Sequence, residues 1–325
     1  MLACPQKNSH KLFVRGGDMR EIILFTLYII LFLCAMAILR NGLLNLTGES
    51  LKQRLQAMTN TPIKGFFTGM IFTAILQSSS AMMVMTVGLV SVGGLTFVQS
   101  IGIILGSNIG TTVTAVFMTF SMDRLIIPGL IIGFVLLLVP IHAIRHSGFA
   151  IYGLFAIFFA IQGFTSLSET LTQYSYFAIL MQSVEHSVLF AILIGAVITA
   201  IIHSGTATIA IAMGFIVGDQ LSITAGIALM LGANIGSCVT GYIASIGAGK
   251  EAKLTAYAHI WLNIIGVALF YPFIDYLQLA ATSFTDEKHV QLAHASVIFN
   301  VICSLLVLPF VRLFSNFILF IHDRN

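Results

Sequence analysis

Long apolar runs recur along the whole chain, and most have the length of a membrane-spanning helix. The first run, residues 22–39, has about eighteen residues, close to what a ~30 Å hydrocarbon core requires. Later runs lie at residues 65–90, 97–119, 125–144, 148–166, 188–217, 221–247, 255–274 and 290–321. Because lipid cannot hydrogen-bond an open backbone, such runs form helices. The pattern predicts an all-α integral membrane protein.

The composition supports a lipid environment. Hydrophobic residues make up 58% of the 325 residues, charged residues make up 8%, and the mean hydropathy is +1.00. Soluble chains carry about 25% charged residues, so the few charges here cannot cover a water-exposed surface of this size. This excludes a cytosolic enzyme and a secreted hydrolase. The net charge of +3 is too small to indicate a polyanionic partner, and we expect no nucleic-acid binding.

Residues 1–21 precede the first apolar run and form a basic N-terminal tail, within which Met19 is an alternative start. A cleaved signal peptide would also combine a basic tail with a short apolar run. We reject this alternative because residues 42–51, just after the run, have a rough echo at residues 163–171. The first run is therefore expected to belong to the fold.

Two polar motifs occur twice, at one spacing. Residues 73–81 (TAILQSSSA) align with residues 199–207 (TAIIHSGTA), and residues 106–114 (GSNIGTTVT) align with residues 232–240 (GANIGSCVT). Both pairs are 126 positions apart, and sixteen of the forty-six residues from position 69 to position 114 are identical in the second copy, without a gap. We therefore predict an internal duplication. It divides the chain into the tail at residues 1–21, transport repeats at residues 22–147 and 148–274, and a C-terminal transmembrane segment at residues 275–325.

Each motif places hydroxyl and amide side chains beside glycine inside an otherwise apolar run. Non-helical backbone survives at membrane depth only where it lines a cavity, and paired Gly-containing interruptions in two halves point to the binding site of a transporter. Helix ends at such a break offer N–H groups to an anion, while hydroxyl and carbonyl oxygens suit a small cation. Small residues also mediate helix packing, but the recurrence of both motifs at one offset favours a site.

The relative orientation of the two copies depends on the number of crossings between them. If residues 65–90 and 188–217 are re-entrant hairpins, three crossings separate them and the copies are inverted, as in many secondary transporters. If each stretch crosses once, four crossings intervene and the copies are parallel. Each stretch would measure roughly 39–45 Å as one helix, longer than a span needs. We predict two inverted repeats with re-entrant helical hairpins and broken transmembrane helices.

The motif QSSS at residues 77–80, followed by GSNIGTT at residues 106–112, resembles the sodium/phosphate cotransporter family, the type II group and its bacterial relatives. The segment AHIWLN at residues 258–263 is similar to a further family segment, and residues 299–300 with 308–310 are similar to its last one. The resemblance covers nearly the whole chain. It implies a multi-pass protein of the cell membrane that moves phosphate with sodium by alternating access, in a short bacterial form without the C-terminal phosphate-regulatory domain.

The resemblance also implies which residues bind the cargo. Phosphate is expected at the first motif of each copy, on Gln77, Ser78, Ser79, Ser80, His203, Ser204, Gly205 and Thr206. Sodium, the coupling ion, is expected at the second motif of each copy, on Asn108, Gly110, Thr111, Thr112, Asn234, Gly236 and Ser237. No enzyme activity and no cofactor are implied.

The second copy departs from the family at both motifs. His203 and Gly205 stand where Gln and Ser are usual, Cys238 stands where Thr is usual, and Ser296 stands where the last segment often has His. The lost hydroxyls imply an altered cation site, and His203 offers a proton-sensitive group. A transporter of another anion, or one driven by protons, is therefore an alternative. A non-transporting membrane receptor or assembly subunit is a second alternative.

Other polar residues in or beside the apolar runs are expected to have structural roles. His142 and His146 are four residues apart, as metal ligands can be, but they lie at the end of a run, where an interfacial role is expected. His259 and Asn263 share one helix face and are expected to join neighbouring helices by hydrogen bonds. The four cysteines have no paired spacing, which argues against a disulfide framework or a zinc site.

Overall fold

The computed structural model describes residues 16–47 and 58–322, and within these residues it contains helices and no β-strand. In chain order the α-helices are α1 (Gly16–Thr47), α2 (Pro62–Leu76), α3 (Ser79–Ser91), α4 (Phe97–Phe117), α5 (Ile126–Leu137), α6 (His142–Thr172), α7 (Ser175–His186), α8 (Val188–Ile202), α9 (Gly205–Val217), α10 (Ile223–Ser245), α11 (Lys250–Phe270), α12 (Ile274–Thr282), α13 (Lys288–Val307) and α14 (Val311–His322). Three short 3₁₀ helices, Asp123–Leu125, Tyr271–Phe273 and Leu308–Phe310, precede α5, α12 and α14.

Six helical stretches of the described chain are long and apolar enough to cross a membrane. They are Met19–Leu46, Phe97–Phe117, His142–Thr172, Ile223–Ser245, Lys250–Thr282 and Lys288–His322. The predicted all-α, multi-span fold is therefore confirmed. Most of the predicted N-terminal tail, residues 1–21, lies outside the described residues.

The span predicted at residues 125–144 is wrong in its second half. Helix α5 has 12 residues and ends at Leu137, so it is roughly 18 Å long and shorter than the hydrocarbon core. Pro140 follows within three residues, and proline disfavours a helical conformation in the residue before it. The polar end of the predicted span instead begins α6, which has 31 residues.

Helices α2 and α3, and likewise α8 and α9, are pairs separated by a two-residue break. The break falls at Gln77 and Ser78 in the first pair and at His203 and Ser204 in the second. The helices have 15 and 13 residues in both pairs, so each is roughly 20–22 Å long. The predicted breaks are thus present at both first motifs, while the inversion of one repeat relative to the other stays a prediction.

The two copies pack their helices through equivalent contacts. A Cβ atom on Gly106 of α4 would overlap the carbonyl oxygen of Phe66 on α2, and one on Gly232 of α10 would overlap that of Ile192 on α8. Gly232 and Ile192 are each 126 positions beyond their counterparts in the first copy. The absence of a side chain at these glycines lets the neighbouring backbones approach closely. The repeated motifs therefore set helix packing as well as polarity.

A second, shorter repeat follows, and it was not found in the sequence. Helix α11, a 3₁₀ helix and α12 are followed by α13, a 3₁₀ helix and α14, with the 3₁₀ helices starting at Tyr271 and Leu308. The two units are 37 positions apart, so Asn263 of α11 corresponds to Asn300 of α13. In both units a proline near the start of the 3₁₀ helix interrupts the longer helix.

Candidate functional site

The site begins with the backbone at the two helix breaks. Gln77 and His203 end α2 and α8 in the left-handed conformation, with φ of 52° and 57°. Ser78 and Ser204 follow in an extended conformation, and their hydroxyls cap α3 and α9 by accepting hydrogen bonds at 3.1 and 3.2 Å from amides in the first turns. The two breaks therefore have the same geometry although their side chains differ.

The breaks turn two helix N-termini toward one place. Helix α3 starts at Ser79 and α9 starts at Gly205, and both residues line a single cavity. The first amides of a helix have no acceptor within it, and the N-terminus carries a partial positive charge of about half a unit. The cavity therefore has two helix ends that attract negative charge.

Residues from five helices line this cavity, and four of these helices contribute polar side chains. The lining residues are Ser79 of α3; Asn108, Thr111 and Thr112 of α4; Gly205 and Ile209 of α9; Ala233, Asn234 and Ser237 of α10; and Ser296 and Asn300 of α13. None of these lining residues carries a formal charge. The open space is about 20 Å³, little more than the ~10–15 Å³ that one water molecule requires. Anything the size of phosphate needs the walls to move apart.

The cavity unites seven of the predicted site residues from both copies. They are Ser79, Asn108, Thr111, Thr112, Gly205, Asn234 and Ser237. Ser296 and Asn300 join them from α13, and the sequence analysis assigned neither residue to the site. Asn300 is in register with Asn263 in the 37-residue repeat, which becomes recognisable only through its matching 3₁₀ helices.

The other predicted residues lie around the cavity rather than in its wall. The Gln77 side chain donates to the Ala74 carbonyl and faces a separate apolar cavity between α1, α2, α4 and α6. The exposed His203 has its Nδ1 atom 3.3 Å from the Thr240 hydroxyl. Ser80 donates from its hydroxyl to the His203 carbonyl oxygen at 3.4 Å, which joins the two breaks.

The remaining five of the predicted residues are tied to helix ends or to helix packing. Ser78 and Ser204 are the caps described above. Cβ atoms on Gly110 and Gly236 would clash with the carbonyl oxygens of Met70 and Ala196, so these glycines face α2 and α8. Thr206 is buried in the first turn of α9, next to the cavity residue Gly205.

The histidine pair at residues 142 and 146 and also Asn263 contact neighbouring side chains. The rings of His142 and His146 are 4.2 Å apart between centroids, and the described residues include no group of three His, Cys, Asp or Glu side chains that could hold a metal ion. Asn263 donates to the Cys238 sulfur at 3.3 Å and accepts from Asn108 at 3.4 Å, so it joins α11 to both copies. Asn263 thus has the hydrogen bonds between helices that were predicted for it, whereas the buried Nδ1 atom of His259 has no hydrogen-bond partner among the described residues.

Fold and site together define a multi-pass membrane protein with a duplicated core and a polar cavity where two broken helices meet. The chain belongs to the Na⁺/Pi-cotransporter family. The family model matches residues 31–166 and then residues 162–293, so it matches twice in succession, and the two matches follow the internal duplication. No solved structure matches this chain.

Three relatives illustrate the range of the similarity. The uncharacterized protein YqeW of Bacillus subtilis is 40% identical over 301 residues, 91% of this chain and 97% of the relative. The protein named putative inorganic phosphate export protein YjbB, from Escherichia coli, is 24% identical over 86% of this chain, but the chain spans only 52% of it. Sodium-dependent phosphate transport protein 2A of Mus musculus is 33% identical over 110 residues, 33% of this chain and 17% of the relative.

Proposed function

We propose that this protein is a secondary active transporter that moves inorganic phosphate together with sodium across the cell membrane by alternating access. Membership of the Na⁺/Pi-cotransporter family supports phosphate as the cargo, as do the names of two relatives, a phosphate export protein and a sodium-dependent phosphate transport protein. The observation that carries the proposal is the cavity to which both repeats and both broken helices contribute.

The cavity suits an anion because of the groups it presents. The N-termini of α3 and α9 contribute unpaired amides and two positive dipole ends. Ser79 adds a hydroxyl donor, and the described residues of the wall include no carboxylate that would repel phosphate. Phosphate would bind across the two repeats, so that a movement of one repeat against the other changes the side from which it is reached.

The same cavity suits a small cation because it is also rich in oxygen. Hydroxyls of Thr111, Thr112 and Ser237 line it beside the amides of Asn108 and Asn234. Neutral oxygens can replace the hydration shell of a monovalent ion, whereas protein sites for calcium and magnesium generally include carboxylates. A sodium ion bound next to phosphate would also offset the negative charge of the anion at membrane depth.

Flux into liposomes containing the purified protein tests this function. Labelled phosphate should accumulate when sodium is provided on one side, and the rate should fall to that of protein-free liposomes when choline replaces sodium. Phosphate flux that does not depend on sodium at either of two pH values would contradict sodium coupling. No phosphate flux under any gradient would favour the receptor or assembly-subunit alternative.

Proton coupling has one obvious residue, His203, and its position argues against it. The side chain is exposed and contacts Thr240 rather than lining the cavity. We expect His203→Gln, which introduces the residue found at the equivalent position of the first repeat, to keep its sodium-driven phosphate flux. Loss of a phosphate flux driven by a pH gradient in this variant would instead support the proton-coupled alternative.

A further inference from the structure

Asn263 of α11 and Asn300 of α13 are equivalent asparagines. They occupy the same position in the 37-residue repeat, and each is 2% exposed. Each amide group donates from Nδ2 to the carbonyl oxygen four residues earlier, at 3.0 Å in Asn263 and 2.9 Å in Asn300. The two asparagines differ in what their side-chain oxygens contact.

On the α11 side both polar atoms of the asparagine side chain have hydrogen-bond partners. The Oδ1 atom of Asn263 accepts from Nδ2 of Asn108 at 3.4 Å, and its Nδ2 atom also donates to the Cys238 sulfur at 3.3 Å. Cys238 in turn lies 3.5 Å from the carbonyl oxygen of His259. This side is closed by protein groups that contact each other.

On the α13 side the corresponding oxygen has no protein donor. Oδ1 of Asn300 is buried and has no hydrogen-bond partner among the described residues, and Asn300 lines the polar cavity with Asn234 and Thr112. By the two repeat offsets, Asn234 corresponds to Asn108, and Thr112 corresponds to Cys238. Asn234, however, donates to the carbonyl oxygen of Met230 at 2.9 Å, and Thr112 donates to that of Ile109 at 2.8 Å.

The residue one turn before the asparagine also differs between α11 and α13. His259 precedes Asn263 by four residues, and the equivalent residue before Asn300 is Ser296, which also lines the cavity. On the α11 side this position holds a buried imidazole, whose Nδ1 atom also has no hydrogen-bond partner among the described residues, whereas on the α13 side it holds a hydroxymethyl group at the cavity. A buried acceptor without a donor is costly, so its retention beside a polar cavity points to a ligand.

The chemistry of the oxygen limits what that ligand is. A carbonyl oxygen only accepts, so Oδ1 of Asn300 repels the charged oxygens of phosphate and requires a donor or a cation. The hydroxyl-bearing residues Ser296, Thr112 and Ser237 line the same cavity, and none of the described residues that line it carries a carboxylate. An all-neutral oxygen site favours a monovalent cation over calcium or magnesium.

We propose that Oδ1 of Asn300 is a direct ligand of the transported sodium ion, with the Ser296 hydroxyl as a second ligand from α13. The equivalent position on α11 holds no cation because the contacts of Asn263 with Asn108 and Cys238 close it. The cation site is therefore asymmetric although the helices are repeated. This inference rests on the proposed function and adds a helix outside the 126-residue repeats to the sodium site.

Sodium-dependent stabilisation of the purified protein tests the inference separately from flux. Without phosphate, sodium should raise the melting temperature of the wild type relative to choline. In Asn300→Leu that increment should vanish, and the sodium concentration for half-maximal phosphate flux should rise roughly tenfold or more, as for the loss of one good ligand.

Asn300→Asp, which keeps the oxygen, should retain the increment. Ser296→His, which removes the hydroxyl ligand and adds an imidazole beside Asn300, should remove it.

Thr86→Val is the matched control. It removes a buried hydroxyl of α3 that donates to the Met82 carbonyl oxygen and that is not part of the cavity lining, so its melting temperature in choline should fall while the sodium increment stays. An unchanged increment in Asn300→Leu would overturn the inference and assign the oxygen to a bound water molecule. A wild type with neither a sodium increment nor sodium-dependent flux would instead overturn the proposed coupling itself, so the two failures are distinguishable.

Discussion

At the scale of residues, the two helix breaks separate backbone geometry from side-chain chemistry. Gln77 and His203 both adopt the left-handed conformation, and Ser78 and Ser204 both cap the next helix. A non-glycine residue in that conformation is uncommon, so finding one at the same point of both copies indicates that the break itself is required. The side chains that then enter the cavity are free to differ between the copies.

Ser79→Ala tests the hydroxyl that the first break places in the cavity. A hydrogen bond to a charged group contributes about 1.5–3 kcal/mol, so the phosphate concentration for half-maximal flux should rise roughly tenfold or more. Kinetics of labelled phosphate flux in liposomes measure this change. Ser91→Ala, which removes an exposed hydroxyl at the far end of α3, is the control and should leave flux unchanged. If Ser79→Ala leaves the phosphate concentration for half-maximal flux unchanged, Ser79 does not bind phosphate.

Gly205→Ser is the complementary change in the second copy. Gly205 occupies the position equivalent to Ser79, and a Cβ atom there would meet its nearest neighbour, the Ala233 carbonyl oxygen, at an ordinary 3.5 Å. The added hydroxyl should lower the phosphate concentration for half-maximal flux. Replacing glycine in an unstrained position should also stabilise the fold by about 0.4–1 kcal/mol. A variant that unfolds at a lower temperature would show that the fold does not accommodate a side chain at this position.

At the scale of elements, glycines hold α4 and α10 against the helices that precede the two breaks, α2 and α8. Gly106 and Gly232 allow the α2–α4 and α8–α10 contacts at equivalent positions. Parts of these elements could be predicted from sequence, because hydroxyls and glycines recurring at one offset identify both the duplication and the breaks. The packing of Gly110 against α2 and of Gly236 against α8 could not be predicted, because spacing alone does not tell which face of a helix meets a neighbour.

Gly106→Ala and Gly232→Ala test this packing. The new Cβ atom would overlap a backbone carbonyl oxygen, which cannot rotate away, and overpacking of this kind costs about 1–3 kcal/mol. Both variants should melt at a lower temperature than the wild type in the same detergent. Gly88→Ala is the matched control, since a Cβ on Gly88 of α3 meets nothing within 4 Å. Equal melting temperatures for all three variants would contradict the assigned contacts.

At the scale of the whole molecule, the fold combines a long repeat with a short one, and the cavity lies where they meet. The apolar runs were sufficient to predict a multi-span helical protein, but not the contribution of α13. Asn300 and Ser296 lie beyond the aligned motifs, and the 37-residue repeat preserves few side chains. Only the matching 3₁₀ helices around Pro272 and Pro309 make it recognisable.

The inversion of the long repeats is also a property of the whole molecule. Val92 and Val217 are exposed at the ends of α3 and α9, close to equivalent positions of the two copies. Inverted repeats place these ends on opposite sides of the membrane, and parallel repeats place them on one side. In a cysteine-free background, Val92→Cys and Val217→Cys should react with a membrane-impermeant maleimide from opposite sides of sealed vesicles. Labelling of both from the same side would establish parallel repeats.

The central claim is that one cavity, lined by both repeats, holds phosphate and sodium together. Equilibrium binding to the purified wild-type protein tests it most directly, because coupling between two ligands is reciprocal. Saturating sodium should raise the affinity for phosphate about 5-fold or more over choline, the lower end of typical coupling. Saturating phosphate should raise the affinity for sodium by the same factor. A phosphate affinity that is the same in sodium and in choline would contradict the account.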